Sequence, residues 1–341
     1  MTRGRKSELD WSTKAARVGK LLPVARWHPA ALAWAANRRR SETWCVAFSG
    51  GADSLALLLT LWANHPEKRE RLVALHFNHR LRGRESDGDE RFCRRVCAAL
   101  GVRLRVGQWR AARKGASEAE ARVARQQFFA REMKRARGRV LWQAHQQDDI
   151  AESMLMRLAR GSGLGGLAAP RPVQATAAGR VYLRPLLTLK KSELVAVLKN
   201  AGADWREDSS NAGSAYFRNR IRRAVLSPWT KAAGRDALAG AALSRELLEE
   251  DERALESWLD ELAPLGRDRQ LDVERLAGKP RAIVRRALHR WLLALKQPAD
   301  LSRQGFEVLL AAVERAKPTR FSLGVRGFAV IRAGRLAFKL R

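Results

Sequence analysis

Residues 43–62 read TWCVAFSGGADSLALLLTLW, an apolar run, a small polar turn and a long apolar stretch. Trp44 to Phe48 is short and apolar enough for a buried strand, and Leu55 to Trp62 continues as a buried helix. SGGADS therefore sits at a strand-to-helix turn. Two glycines let a ligand approach the backbone, and the helix that follows aims free N–H groups and its positive dipole end at that ligand. The expected ligand is a phosphate or pyrophosphate. Neither GxxxxGK[ST] nor GxGxxG occurs at the turn, so it is neither the common P-loop nor a dinucleotide fingerprint. Ser49 and Ser54 can donate to phosphate oxygens, whereas Asp53 belongs beside phosphate only as a helix cap or a metal holder.

Outward from this turn, apolar and helical segments alternate. Strands are expected at Trp44–Phe48, Leu72–Asn78, Arg103–Val106, Val140–Ala144 and Val181–Leu183, with helices at Ser86–Leu100, Glu118–Arg135 and Ile150–Leu158. That order predicts an α/β fold with a doubly wound, mainly parallel sheet. Ligands of such sheets bind at the carboxyl ends of the strands. SGGADS, HFNHRLRG and AHQQDD all fall there.

Past Trp229 the pattern becomes helical. Ser244–Leu262 is acidic at its exposed positions, and Pro280–Leu295 carries an apolar face of Ile283, Val284, Ala287, Leu288, Trp291 and Leu295. Its other positions hold Arg281, Arg285, Arg286 and Arg290, either a solvated face or a phosphate-contacting one. The end, FSLGVRGFAVIRAGRLAFKL, alternates and turns like a small terminal hairpin. The expected organisation is a basic extension over 1–40, a nucleotide-binding domain over 41–230 and a smaller, mainly helical domain over 240–341. The boundary falls among the turn and small residues between Ser227 and Leu243.

Lys and Arg number 66 against 35 acids, a formal charge of +31. Such a surplus favours a polyanionic partner such as nucleic acid, although an Arg-rich, Ala-rich composition also inflates the count. Cys45, Cys93 and Cys97 are odd in number and lack CxxC spacing, which suggests neither disulfides nor a zinc or iron–sulfur site and fits a reducing cytoplasm. No apolar run approaches the roughly 18 residues that span a membrane. Residues 1–40 carry ten Lys or Arg against Glu8 and Asp10. They pass compositionally for a transit peptide, yet LLPVARWHPAALAWAA has the apolar content of a packed helix.

SGGADS matches the SGGxDS signature of the PP-loop ATP pyrophosphatases, which split ATP between the α and β phosphates. Five further segments, LHFNHRLRGRESDGDERFC (75–93), EAEARVARQQFF (118–129), AHQQDDIAESMLMRLARGSGLGGLAAP (144–170), LRPLL (183–187) and WREDSSNAGSAYFRNRIRRAVL (205–226), follow at plausible spacing. Together they resemble the tRNA(Ile)-lysidine synthetase family. The resemblance implies adenylation of C2 of the wobble cytidine in an isoleucine tRNA with a CAU anticodon, then attack by the ε-amine of free L-lysine. Lysidine pairs with A, so decoding changes from AUG to AUA.

The resemblance implies ATP and Mg²⁺ as cofactors and assigns residues. Ser49, Gly50, Gly51, Asp53 and Ser54 would cradle the β and γ phosphates. Asp148 and Asp149, at a strand's carboxyl end before a helix, suit a metal or the lysine amine, with helix capping as the structural alternative; Glu152 lies one turn on. Asp53 and Asp149 are the expected metal ligands. His79, Arg82 and Ser86 follow another strand end and would close over nucleotide or lysine. Arg122 and Arg125 share a helix face and suit phosphates of ATP or tRNA. His145 would orient or shuttle protons, or serve only structurally. RGSGLGGL (160–167) admits backbone near substrate or forms a plain C-cap. Glu207, Asp208, Asn211, Arg218, Asn219, Arg220 and Arg222 complete the set as tRNA or site-closing contacts.

The chain departs from the family at Ile150, where DDQAET becomes DDIAES, at Ser153, and at Gln126 in place of a tyrosine. Similarity weakens in the C-terminal part, which looks like the family's first helical tRNA-binding domain, and the additional small C-terminal domain of longer members is not expected. Three other functions share some features. A PP-loop tRNA thiolase shares the loop and the charge but needs working cysteines, an amidotransferase-linked synthetase leaves the basic surface unexplained, and an inactive RNA-binding relative has no use for intact SGGADS and DD.

Overall fold

The computed structural model describes residues 10–39, 41–80, 83–109, 117–207, 217–295, 301–325 and 327–341. Two units divide between Leu247 and Leu248.

In the first unit, apolar runs become strands covered on both faces. The elements in order are α1 (Trp11–Leu21), α2 (Pro29–Ala36), β1 (Trp44–Ala47), α3 (Ala52–Asn64), β2 (Leu72–Asn78), α4 (Arg84–Ala99), β3 (Arg103–Gln108), α5 (Glu118–Arg135) and β4 (Val140–Trp142). There follow α6 (Gln147–Leu158), α7 (Leu164–Leu167), β5 (Val173–Ala175), β6 (Val181–Leu183), α8 (Lys191–Asn200), α9 (Phe217–Arg220), a wider π-type turn over Ile221–Leu226 and α10 (Ser227–Ala232). The sheet order is β3-β2-β1-β4-β6-β5, parallel except for β5, which runs antiparallel to β6. Trp44 of β1 lies opposite Leu72 on one side and Val140 on the other. Side chains alternate between faces. Trp44 and Val46 join a large core with α1, α3, α4 and α8, while Cys45 joins Phe128, Phe129 and Met133 on the α5 side.

Residues 11–36, expected as part of a basic extension, are built into this core. Ala15, Val18, Leu22 and Trp27 are fully buried against the central layer. The apolar content of LLPVARWHPAALAWAA has found a partner face. The boundary expected between Ser227 and Leu243 falls inside the first unit, because Ala241 and Ala242 are buried against Ala151, Ile150 and Leu187. α11 (Ala237–Leu262) begins in the first unit and ends in the second.

The second unit adds β7 (Leu271–Asp272), α12 (Arg281–Ala294), α13 (Arg303–Glu314), β8 (Thr319–Ser322), β9 (Gly327–Arg332) and β10 (Arg335–Leu340). Its sheet is antiparallel in the order β7-β10-β9-β8, so the terminal hairpin is one part of a four-stranded sheet. α12 buries Ile283, Val284, Ala287, Leu288 and Trp291, the face its periodicity predicts. Its arginines are neutralised internally. Arg286 and Arg290 bond the carboxylates of Glu252, Glu256 and Asp260 on α11, and Arg281 and Arg285 bond Glu307 and Glu314 on α13. That face is therefore an ion-pair seam. No helix among the described residues is long and apolar enough to cross a membrane.

Gly107 of β3 is the tightest backbone approach on the α5 side: a Cβ there would sit 2.3 Å from Cδ2 of the buried Phe128 ring. Gly107→Ala should lower stability by about 1–3 kcal/mol through overpacking, measured as an earlier urea midpoint; an unchanged midpoint would contradict this packing.

Candidate active site

The first strand ends at Ala47 and the backbone reverses through Gly50 at φ +90°, a conformation that favours glycine. A Cβ at Gly50 would press on Cys93 Sγ at 3.2 Å and Phe92 Cδ1 at 3.3 Å. The turn's hydroxyls form a chain. Ser54 Oγ donates to Gly51 O (3.0 Å), leaving the Ser49 hydroxyl to donate to Ser54 Oγ (3.0 Å), while Ser49 N–H and Gly51 N–H donate to Ser54 Oγ and Ser49 Oγ (3.2 and 3.4 Å). Gly51 is the N-cap of α3 and supplies no side chain to its first N–H groups. The helix start is thus open to an anion.

Next to it Asp53 is half-buried, and its Oδ1 is buried with no hydrogen-bond partner. Burial pushes its carboxyl up to about 6, reinforced by the neighbouring charge of Asp149. A buried, unpartnered carboxylate oxygen beside an anion-ready turn fits a cation. Among the described residues no three His, Cys, Asp or Glu side chains form a ready-made metal cage. Magnesium does not need one, since it commonly takes one or two carboxylates and completes its shell with water and substrate phosphates.

At the end of β4, Gln146 and Asp149 cap α6 reciprocally. Gln146 Oε1 accepts from Asp148 N (2.6 Å) and Asp149 Oδ2 accepts from Gln146 N (3.0 Å). The adjacent acids diverge. Asp148 Oδ2 accepts from Lys191 N (3.0 Å) at the start of α8, so Asp148 joins two helix starts and takes the capping alternative. Asp149 faces the cavity, where Arg218 bonds its Oδ1. Glu152 is wholly buried and held by Arg218 Nε (2.6 Å) and Arg222 Nε (2.5 Å). Burial raises the carboxyl of Asp149, and the Arg218 charge opposes that rise.

These groups meet in a cavity of about 610 Å³. Ser49, Gly51, Asp53, Ser54, His79, Ser86, Arg122, Arg125, His145, Asp149, Glu207 and Arg218 lie on its wall. Gly50, Asp148, Glu152, Asn219 and Arg222 are not part of that wall. Arg82, Asp208 and Asn211 lie outside the described residues. His79 packs edge-on against Phe77 at 4.8 Å. His145 Nδ1 accepts from Arg184 Nε (3.2 Å), and burial together with that cation holds its pKa well below the usual imidazole range. The neutral ring therefore positions rather than carries charge.

Sequence reasoning gave no role to Arg184 or Arg206. Arg184 is buried, bonds Arg171 O (2.7 Å) and Gln174 Oε1 (3.0 Å) as well as His145, and is pushed down to about 10 by burial. Arg206 N–H donates to Gly50 O (2.9 Å) and its Nε to Asp89 Oδ1 (2.9 Å), strapping the turn to α4. Both stand in quoted segments, LRPLL and WRED, but one cation among 66 carries no local mark of burial.

A glycine turn at a helix start, with carboxylates and arginines gathered at the carboxyl ends of a parallel sheet, defines a PP-loop protein. The PP-loop domain family model matches residues 28–228. A tRNA(Ile)-lysidine synthase from Geobacter sulfurreducens is 39% identical over 77% of this chain and 56% of its own length, and one from Pseudomonas aeruginosa 36% over 82% and 65%. The chain thus spans less than two thirds of either. A third, from Bradyrhizobium diazoefficiens, is 35% identical over 80% of this chain and 78% of its own length. Within the PP-loop class, the chain belongs to the tRNA(Ile)-lysidine synthase family. A solved U34-tRNA thiolase from Methanococcus maripaludis shares the fold, with a TM-score of 0.53 and 17% identity over 69% of this chain and 78% of that one.

The raised Asp53 carboxyl has a stability consequence. The folded protein holds this proton more tightly than the unfolded chain, whose carboxyl titrates near about 3.9. Stability is therefore lost as pH rises from about 4 through about 6 and stays lower above that. Asp53→Asn should relieve this loss, by about 1–2 kcal/mol at pH 8 and far less at pH 4.5, compared by urea midpoints. Equal gaps at both pH values would refute the assignment.

Proposed function

We propose that the protein ligates free L-lysine to C2 of the wobble cytidine of tRNA(Ile) with a CAU anticodon, consuming ATP and forming lysidine. The observation that carries this reading is the single cavity holding the open α3 start, the unpartnered Asp53 oxygen and the Asp149–Arg218 pair, in a chain of this family.

In this reading Ser49, Gly51 and Ser54, with the first N–H groups of α3, bind the β and γ phosphates, and Arg122 and Arg125 face them from α5. Asp53 would hold Mg²⁺, which supplies charge neutralisation on the triphosphate. The C2 carbonyl oxygen attacks the α-phosphorus, the bond to the bridging oxygen breaks, and pyrophosphate departs. The ε-ammonium of lysine gives a proton to Asp149, whose raised carboxyl suits it as an acceptor. The amine then forms the C2–N bond, the C2–O bond breaks, and AMP leaves with the electron pair. For this to happen Arg218 must share Asp149 with the incoming ammonium while Glu152 retains Arg222. His145, kept neutral by Arg184, admits no rival cation there. Reaction with a tRNA in the reducing interior of the cell fits a cytoplasmic enzyme.

Sulfur transfer is disfavoured by the state of the cysteines. All three are buried, and burial pushes the thiols of Cys45 and Cys97 up to about 12 and that of Cys93 higher still. A sulfur carrier needs the opposite shift and access to substrate.

The reading is tested by pyrophosphate release from ATP with magnesium, transcribed tRNA(Ile) bearing CAU, and labelled lysine. Label should enter that tRNA and not the methionine tRNAs; pyrophosphate release without label in tRNA would refute lysine as the nucleophile. Asp53→Ala should abolish pyrophosphate release, a loss of at least about 100-fold, while tRNA affinity changes less than about threefold. Parallel loss of both would count against the role given to Asp53.

A further inference from the structure

The basic residues of the second unit are not used alike. Those on α12 are spent on acids of α11 and α13. From Arg315 to Arg341 the chain carries eight Lys or Arg and no acid. Strand register sorts this segment cleanly. Ala329, Ile331 and Leu336 point into the core, essentially inaccessible. Arg320, Phe328, Arg332, Arg335 and Lys339 share the opposite, solvent face, because Arg320 pairs with Val330, Arg332 with Arg335, and Phe328 with Lys339.

Two features of that face lack a structural purpose. Arg332 and Arg335 are directly opposed, and like charges in that arrangement repel. The acid across from Arg335 is Asp272, whose carboxylate is already engaged by Arg275 through its N–H (3.3 Å) and its Nε (3.5 Å). Phe328, half-buried in mid-strand, carries the Arg320 guanidinium over its ring at 4.0 Å. A planar cation on an aromatic ring, with further cations one and two strands away, offers stacking for an unpaired base and neutralisation for the phosphates beside it.

We propose that the solvent face of β8–β10 is an RNA-binding platform of this protein. Arg320 and Phe328 form its stacking element, and Arg332, Arg335 and Lys339 meet the phosphate backbone. The proposal rests on the reading above that RNA is the substrate, and names a surface of the second unit that grips it. Positions 335 to 339 span about 13 Å of strand, the reach of a few nucleotides rather than a whole stem.

Fluorescence anisotropy of the full-length protein with labelled tRNA(Ile), run as a salt series, tests this. Arg332→Gln/Arg335→Gln should weaken binding about tenfold near 0.1 M salt and reduce the salt slope by about 2. Phe328→Ala should weaken it at least about fivefold, with Phe328→Tyr restoring affinity. Arg281→Gln/Arg290→Gln removes the same net charge from the ion-pair seam and should change affinity less than about twofold. Equal weakening by the two double variants, unchanged binding by the sheet variants, or no RNA binding by the wild type would each overturn the platform. Platform-dependent binding in a protein that incorporates no lysine would instead refute the proposed activity and leave the platform standing.

Discussion

Glu152 is a carboxylate with no solvent access, and its charge is tolerable only because Arg218 and Arg222 both bond it. That requirement ties α6, which follows the central strand β4, to a helical stretch some seventy residues later in the chain. The segment from Phe217 to Leu226 is thereby fixed beside the cavity, and the four-residue spacing of Arg218 and Arg222 brings both to Glu152. Removing either arginine leaves a buried charge half satisfied, so the site wall and the fold of this segment stand or fall together. Asp149 is the member of the cluster that faces the cavity, and it shares Arg218 with Glu152. The site therefore contains one exchangeable ion pair backed by one that is not.

The charge surplus divides along similar lines. Arginines on α12 are consumed by acids on two neighbouring helices, buried Arg184 by a carbonyl, a side-chain amide and an imidazole, and the exposed Arg206 side chain by Asp89. A formal charge of +31 thus overstates the field available to a ligand. What remains outward is concentrated on particular faces, and the physical question for any one arginine is whether an acid lies within reach in three dimensions. Composition cannot answer it.

This explains which parts were legible in the sequence. The glycine turn, the strand–helix alternation and the gathering of motifs at the strand carboxyl ends were readable because each depends on local pattern. β5 was missed because Val173–Ala175 is three residues at an antiparallel edge, too short to show a period. Residues 11–36 read as an extension because their basic charge is conspicuous and their partner faces, on α3 and in the central core, lie far along the chain. Asp148 and Asp149 looked equivalent because adjacent residues share every local feature. Only the arrival of the Lys191 amide, forty-three positions on, ties Asp148 to α8 and distinguishes it from Asp149, which caps α6 and faces the cavity.

The two departures from the family pattern illustrate the same distinction between local identity and place. Ile150 stands next to Asp149 in sequence, yet its side chain is wholly buried against Leu187 and Ala242 and takes no part in the cavity wall. There a branched apolar side chain is well placed, and a polar amide would need a buried partner. Gln126 is exposed on α5, one residue past Arg125 and so rotated away from the wall that Arg122 and Arg125 share. Neither change removes a group from the cavity. Ile150 instead serves the packing of α6, the helix whose first turn carries Asp149 to the cavity edge.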